Sequence, residues 1–437
     1  MIIQVVNVAC LFLSTLFLVA HSPGDEDKPL FNGTDLSGWI NVIGASESWT
    51  AARNSISATG IPKGVLRTDR QYENYILEFE YKKPMSHGRA GILIHSDALP
   101  AKGSPWPRGI NIQFWDSGNG LIEAVGGAGI RTVKNPQLQK ADGDSSGGGP
   151  PAAGERWHHV RVKSSNGAVT LRVDGKPAAM GLYASLRKGY IALKSDGSQI
   201  QFRNIRLREL PAADLASEQV ATKDRGFVSL YNGRDVGRHW ELLPGHRGHW
   251  TGEDWLINYD GGSEEERKSL WSKGKYADFI LTADMKFTGR PEMAESPVVL
   301  PNGENLKTED GSNKTVVVPY AGDTGIYVRG SSKNQVNMGN RFIGSGEIYG
   351  YRADRDMPRE VRQALIPRVN ADAPPGEWNR YRITMKGDRI TVVLNGTVVI
   401  DDARLPGIAP TGKIALQDDH GRGNRFVFGN LYIKELE

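Results

Sequence analysis

The chain repeats itself, and the repeat limits what it can fold into. Phe31-Asn32-Gly33-Thr34-Asp35 returns 200 residues later as Tyr231-Asn232-Gly233-Arg234-Asp235. Further matches follow in the same order. Gly154-Glu155-Arg156-Trp157 pairs with Gly376-Glu377-Trp378-Asn379, and Val173-Asp174-Gly175 with Leu394-Asn395-Gly396. Ile191-Ala192-Leu193-Lys194 pairs with Ile414-Ala415-Leu416-Gln417. The endings Phe202-Arg203-Asn204-Ile205-Arg206-Leu207 and Phe428-Gly429-Asn430-Leu431-Tyr432-Ile433 also match, each followed by Glu-Leu. Whatever one half folds into, the other must fold into as well. The boundaries read as a first copy over 28–210, a linker over 211–225 and a second copy over 226–437. A length of 437 residues suits two cores rather than one. Between Trp157 and Trp378 the offset has grown to 221, so the second copy holds extra residues. Pro291 to Val318, rich in Pro, Asn, Gly and Lys, reads as an inserted loop. The linker, Pro211 to Arg225, reads as a short helix or a polar connection.

Each copy reads as all-β. Tyr75-Ile76-Leu77-Glu78-Phe79-Glu80-Tyr81 alternates large apolar groups against Ile and two Glu, which suits a strand with one buried face. Asn166-Gly167 favours positive φ and predicts a tight hairpin between Trp157–Lys163 and Val169–Val173. Lys386-Gly387-Asp388 does the same between Arg382–Met385 and Ile390–Leu394. Short strands and frequent turns favour a two-sheet sandwich. The glycine-rich Asp142 to Gly149 reads as a surface loop.

The net charge is +4 and the basic residues form no block, which excludes a nucleic-acid surface as the expected partner. The apolar run Ile2 to Ala20, followed by Pro23-Gly24-Asp25-Glu26-Asp27-Lys28, reads as a secretory signal peptide over 1–22. The expectation is a secreted or periplasmic protein with no membrane contact after cleavage. A retained anchor is the rival reading. Cys10, the single cysteine, lies inside that run. The mature chain would then have no disulfide, thiol nucleophile or cysteine metal site.

The phrases taken together are specific. Leu30-Phe31-Asn32-Gly33-Thr34-Asp35-Leu36-Ser37-Gly38-Trp39 resembles the opening of the 3-keto-disaccharide hydrolase domain family. Pro374-Pro375-Gly376-Glu377-Trp378-Asn379, Leu394-Asn395-Gly396 and Leu416-Gln417-Asp418-Asp419-His420-Gly421 resemble its later signatures. The resemblance spans nearly the whole mature chain as two tandem domains. It implies two concanavalin-like jelly-roll β-sandwich domains. It also implies hydrolase or lyase action on 3-keto-glycosides, described in the family as 3-keto-glucoside lyase and 2-hydroxy-glucal hydratase activity. The chemistry has a plain logic: a C3 ketone acidifies the C2 proton, a base removes it, and the enolate expels the C1 substituent. Adding water completes an apparent hydrolysis. A divalent cation would be a suitable cofactor to hold the enolate oxygen.

The resemblance also points to residues. Glu347, in Gly346-Glu347-Ile348-Tyr349-Gly350, is the carboxylate candidate, and Tyr349 shares its face if the piece is extended. Asp418 and His420 are the other catalytic candidates, with Gln417 beside them to bind sugar. Arg329 ends the strand Asp323-Thr324-Gly325-Ile326-Tyr327-Val328 and could hydrogen-bond sugar oxygens or pair with a nearby carboxylate. His95 takes its place in the first copy, near Gln113 and Asp116, with Glu123 matching Glu347. Both copies depart from the family at the central strand. Asn111 replaces a carboxylate in the first, and Gln335, Asn337 and Asn340 are all amides in the second. An amide orients a hydroxyl but takes no proton. A non-catalytic carbohydrate-binding or scaffold protein of the same fold is therefore the alternative. Trp39, Trp157, Trp240 and Trp378 occupy matching positions and read as core, while Trp106 and Trp115 fall outside that set.

Overall fold

A computed structural model describes residues 26–83, 89–114, 120–133, 156–263, 268–418 and 424–437. Residues 1–22, read above as a signal peptide, residues 142–149, read as a loop, and Trp115, Asp116 and His420 lie outside the described residues. Among those described, no helix is long and apolar enough to cross a membrane.

Both copies are β-sandwiches built from antiparallel strands. In the first, the back sheet runs in spatial order Arg131–Thr132, Lys176–Leu182, Ala168–Val173, His158–Ser165, Tyr75–Lys82, Ile200–Glu209, Ser55–Ala58 and Trp49–Ala52. Its front sheet runs Trp39–Ile43, Gly64–Thr68, Tyr190–Asp196, Arg89–Ser96, Gly109–Phe114 and Gly120–Val125. The second copy repeats the back sheet around Phe279–Phe287, flanked by Phe426–Glu435 and Asn379–Lys386. Its front sheet is shorter: Leu270–Tyr276, Gly412–Leu416, Asp323–Tyr327 and Gln335–Gly339.

The alternation in Tyr75–Lys82 does what its chemistry requires. Tyr75, Leu77, Phe79 and Tyr81 are buried in the first core. Glu78 and Glu80 project outward, where the register sets them opposite Arg161 and Arg203, and each carboxylate pairs with its cross-strand arginine. The hairpins close on positive φ at Asn166 and Gly167, Asp174 and Gly175, and Asn395 and Gly396.

The repeated opening phrase is a turn that stitches itself. Asn32 Oδ1 accepts from the backbone of Thr34 at 2.8 Å and Asp35 at 3.0 Å. Asn232 Oδ1 does the same for Arg234 at 2.9 Å and Asp235 at 2.8 Å. This is an Asx turn, with the glycine between at positive φ in both copies. Behind it, the indole N–H of Trp39 donates to Leu30 O at 2.9 Å, and that of Trp240 to Leu230 O at 2.8 Å.

Two expectations need correction. Trp157 and Trp378 are half-buried rather than core. They lie on the outer face of each back sheet, under cations: Arg203 stands 4.0 Å from the Trp157 ring and Lys286 5.1 Å from Trp378. The inserted segment is also no loop. Glu292–Pro297 and Thr315–Tyr320 pair as an antiparallel ribbon, extended by bridges at Val299–Asn305 and Lys307–Asn313. Pro301, Asn302, Gly303 and Gly311 fall in its turns. The β-branched run Thr315-Val316-Val317-Val318 was the strand signal.

The copies are stacked front to back. Val42, Ile43, Val65, Leu93 and Ala192, from the first copy's front sheet, form one buried cluster with Tyr432 of the second copy's back sheet. Tyr432 Oη donates to Val42 O at 2.9 Å. The 97–108 loop folds into the same seam, with Trp106 and Leu99 packed on the cluster. At the seam's centre Asp284 is fully buried. It accepts from Arg380 at 2.6 and 2.8 Å, Gly103 N at 2.9 Å and Asn430 Nδ2 at 2.7 Å. Gly103 has to be glycine, because a Cβ there would fall 2.4 Å from the Trp378 ring. Lys63 Nζ meets Asp254 at 2.9 Å. A narrow crevice between the copies is lined by Lys63, Asp254 and Tyr432 among others.

Removing Asp284 strips the carboxylate from the half-buried Arg380 guanidinium and leaves the Gly103 N–H in the seam without its acceptor, a loss of about 1–3 kcal/mol. Asp284→Ala should lower the melting temperature of the full chain and split calorimetric unfolding into two transitions. A single transition at the parent temperature would show that Asp284 does not hold the copies together.

Candidate functional site

The second copy's front sheet carries an outward row of polar groups. Ile326, Val336 and Met338 are in the core. Their neighbours Asp323, Gly325, Gln335 and Asn337 therefore alternate to the other face. The register sets Gly325 beside Asn337. A Cβ on Gly325 would lie 2.7 Å from the Gln335 amide nitrogen, so glycine leaves room for that side chain to cross. Gln335 then donates to Gln417 Oε1, and Asn337 Nδ2 donates to Asp323 Oδ1 at 2.9 Å.

From Asp323 a ladder of alternating charge runs off the sheet edge. Arg341 donates to Asp323 Oδ2 and stands 3.6 Å from Glu347 Oε1. Arg352 Nε donates to Glu347 Oε2, and its Nη1 to Gly303 O at 3.2 Å. Glu347 is 0% exposed and Asp323 4%. Buried carboxylates persist only when paired in this way. Burial alone would lower the Arg341 guanidinium, but the charges of Asp323 and Glu347 outweigh it and hold Arg341 above the usual arginine range. Glu347 is positioned by backbone: Asn337 N donates to its carbonyl at 3.0 Å, and Gly346 N to Asn337 O at 2.8 Å. Its Oε1 has no hydrogen bond, and neither does the buried Oδ1 of Asn337.

Glu347 lines a pocket of about 570 Å³. One wall is the inserted ribbon, through Ser296, Pro297, Asn305 and Lys307. The other is a pair of short helices, Tyr349–Arg352 and Arg359–Ala364. The extended reading of 346–350 is thus corrected. A single bridge joins Val336 to Ile348, and the chain then coils. Gly350 permits that turn, since a Cβ would sit 2.4 Å from Lys333 O. Tyr349 remains beside Glu347 in the pocket, exposed, its ring centroid 5.8 Å from the Arg341 guanidinium and 5.4 Å from that of Arg352.

The other residues named from sequence are placed differently. Asp418 turns toward the back sheet and accepts from Tyr259, while its N–H donates to Ser269 Oγ at 3.2 Å. Burial, reinforced by Asp418, raises the Tyr259 phenol. Arg329 and His95 do not reach the sheet face. Both adopt positive φ, which breaks the alternation and turns the side chain inward. Arg329 donates to Ala277 O at 2.9 Å and Gly387 O at 2.6 Å, and pairs with Asp278 at 2.8 Å. His95 lies 2.9 Å from Leu186 O and 3.1 Å from Ser164 Oγ, against the edge of Tyr75. Its burial pushes the imidazole down to about 4, so it is neutral. Gly189 and Gly412 each crowd the turned residue, leaving 2.3 Å for a Cβ in both copies. The two residues are matching anchors.

In the first copy Gln113 is buried and Asn111 Nδ2 donates to Glu123 Oε1 at 2.7 Å. Lys194 lies 4.3 Å over Trp106, and burial lowers its ammonium. Asp116 and His420 lie outside the described residues. Asp323, Arg341 and Arg352 were not singled out from sequence. Asp323 could have been, by its alternation with Gly325 and Tyr327. The arginines lie in a turn and a helix, where no period marks them.

The donor set does not suit a divalent cation. Each carboxylate of the ladder is already engaged by a guanidinium. Among the described residues no three His, Cys, Asp or Glu gather where they could hold a metal ion. Arg341 and Arg352 supply the positive charge there instead.

The domain model described as 3-keto-alpha-glucoside-1,2-lyase-like matches residues 26–208 and again 226–434. No curated protein matches the chain. Among solved structures, one from Parabacteroides distasonis ATCC 8503, described as a candidate glycosyl hydrolase, is 20% identical with a TM-score of 0.33, over 48% of this chain and 84% of that one. A carbohydrate binding module from Bacillus subtilis is 11% identical with a TM-score of 0.30, over 41% of this chain and 98% of the module.

Two outcomes test the site's electrostatics. Arg352→Met strands a buried carboxylate and should cost about 3–5 kcal/mol in urea denaturation, with the double variant Glu347→Leu, Arg352→Met recovering much of it. Additive losses in the cycle would deny the pairing. Behind the ladder, Asp372 accepts from Ser345 N at 3.0 Å. Burial outweighs the Ser345 hydrogen bonds and pushes its carboxyl from 3.8 up to about 6. The folded chain therefore holds a proton that the unfolded chain has released, and stability falls as pH rises through that window. Asp372→Asn should stabilise by about 1–2 kcal/mol near pH 8 and change little near pH 4. Equal effects at both pH values would contradict the shift.

Proposed function

This chain belongs, in both halves, to the 3-keto-alpha-glucoside-1,2-lyase-like domain family and is a carbohydrate-active protein, and on that premise we propose that its second copy cleaves 3-keto-glycosides. The observation that carries the reading is Glu347 Oε1, a carboxylate oxygen without a hydrogen bond, in a pocket beside two guanidinium groups. Glu347 takes the C2 proton. Arg341 and Arg352 stabilise the enolate oxygen that forms at C3. The C1–O bond breaks as the enolate collapses, and the departing oxygen takes a proton, for which His420 is the proposed acid. Water then adds across the C1–C2 double bond. The exposed ring of Tyr349 offers a face to the sugar, and Gln417 and Asn337 offer amides to its hydroxyls. We further propose that the protein acts outside the cytoplasm, after removal of its signal peptide.

The second reading is a carbohydrate-binding protein without turnover. It is favoured by the amides Gln335, Asn337 and Gln417 along the outward row. The first copy suits a supporting role in either case, because much of its front face is closed by the seam.

The purified full chain should release the aglycone from a 3-keto-glucoside, with or without chelator, and exchange the C2 hydrogen with solvent. Glu347→Gln should reduce turnover by about 10²–10⁴-fold, and His420→Ala should reduce it as well. Glycan binding with no release in either condition would favour the second reading and sink the first.

A further inference from the structure

The pocket's charge is lopsided. Five cations line it, Lys307, Arg341, Arg352, Arg355 and Arg362, against two carboxylates, Glu304 and Glu347. The whole chain has a net charge of only +4, so this is a local concentration. Arg341 and Arg352 are committed to the ladder. Arg362 meets Glu304 at 3.5 Å, and its buried Nε has no hydrogen bond. Among the described residues, Lys307 has Asn313 as its partner, at 2.7 Å, and no carboxylate pairs with Lys307 or Arg355. A neutral sugar needs hydroxyl partners, which amides and carboxylates provide. It can take hydrogen bonds from a guanidinium but leaves the charges of several converging cations unneutralised. An oxyanion does, because a planar guanidinium binds it through paired N–H donors. The cavity, at about 570 Å³, has room for more than a monosaccharide. Its basic wall is partly the ribbon that the first copy lacks.

We infer that the pocket selects an anionic carbohydrate, one bearing a carboxylate or sulfate group, with Lys307, Arg355 and Arg362 receiving the anion. This rests on the carbohydrate reading above and names the substrate class of the same site. The anion lies toward the ribbon and the Arg359–Ala364 helix, which leaves Glu347 and Tyr349 to the sugar ring.

Calorimetric titration of the full chain tests it with three sugars and one ion: a neutral glucose disaccharide, its glucuronate-terminated counterpart, a sulfated glucose disaccharide and inorganic sulfate. At low salt, at least one acidic sugar should bind about tenfold or more tightly than the neutral one, the worth of one charged hydrogen bond. The preference should shrink at about 0.5 M salt, where screening is strong. It should also fall in Lys307→Gln, Arg355→Gln, two exposed positions outside the proposed catalytic set, while neutral-sugar binding is unchanged. Which acidic sugar gains distinguishes carboxylate from sulfate. Equal, salt-independent binding of all three sugars would overturn the inference and leave the carbohydrate reading intact. Binding of sulfate with no sugar, or of nothing, would likewise overturn the inference, while release of the aglycone from a 3-keto-glucoside decides the carbohydrate reading separately.

Discussion

One buried carboxylate organises the relation between the two halves. Asp284 lies on the outward face of the second copy's back sheet, a position that in a lone sandwich would meet water. Here it gathers Arg380 from its own sheet, the backbone of Gly103 from the other copy, and Asn430, whose amide also donates to Ala101 O at 3.1 Å and Ser104 O at 2.9 Å. A charge so enclosed is tolerable only with every donor present. The seam is therefore a matched set of polar groups beside an apolar cluster.

That stacking decides which surface can work. The face of the first sandwich that corresponds to the candidate site is spent on the seam, its Val65 and Leu93 covered from the other side. The second copy keeps the corresponding face and adds to it. Its inserted ribbon rises at the edge of the front sheet and, with two short helices, closes a pocket around Glu347. The two copies thus use one set of strands differently: the first gives its front face to the seam, and the second carries the inserted ribbon.

Much of the framework was legible. Asn32 and Asn232 announce the same Asx turn, and Tyr75 to Tyr81 announces a half-buried strand, because turn chemistry and alternation are local properties. Glu347 could be picked out from its neighbours in sequence. Its partners could not: Arg341 and Arg352 are ordinary surface-type residues until the chain folds them onto one carboxylate. His95 and Arg329 failed for a specific reason. Each has positive φ, and a period-two reading assumes every residue is extended. The ribbon was misread because its turns, rich in Pro, Asn and Gly, dominate the composition of a segment whose flanks are strands.

The sequence by itself determined that there are two copies, that each is a β-sandwich and that they belong to one family. Those facts rest on short-range patterns and on the repeat. The tertiary structure decided that the copies stack front to back, that a ribbon and two short helices build a pocket around Glu347 in the second, and that the pocket is basic. Such properties depend on groups far apart in the chain, Gly103 with Asp284 or Lys307 with Arg355. Their charges and shapes acquire meaning only when desolvation makes their pairing matter.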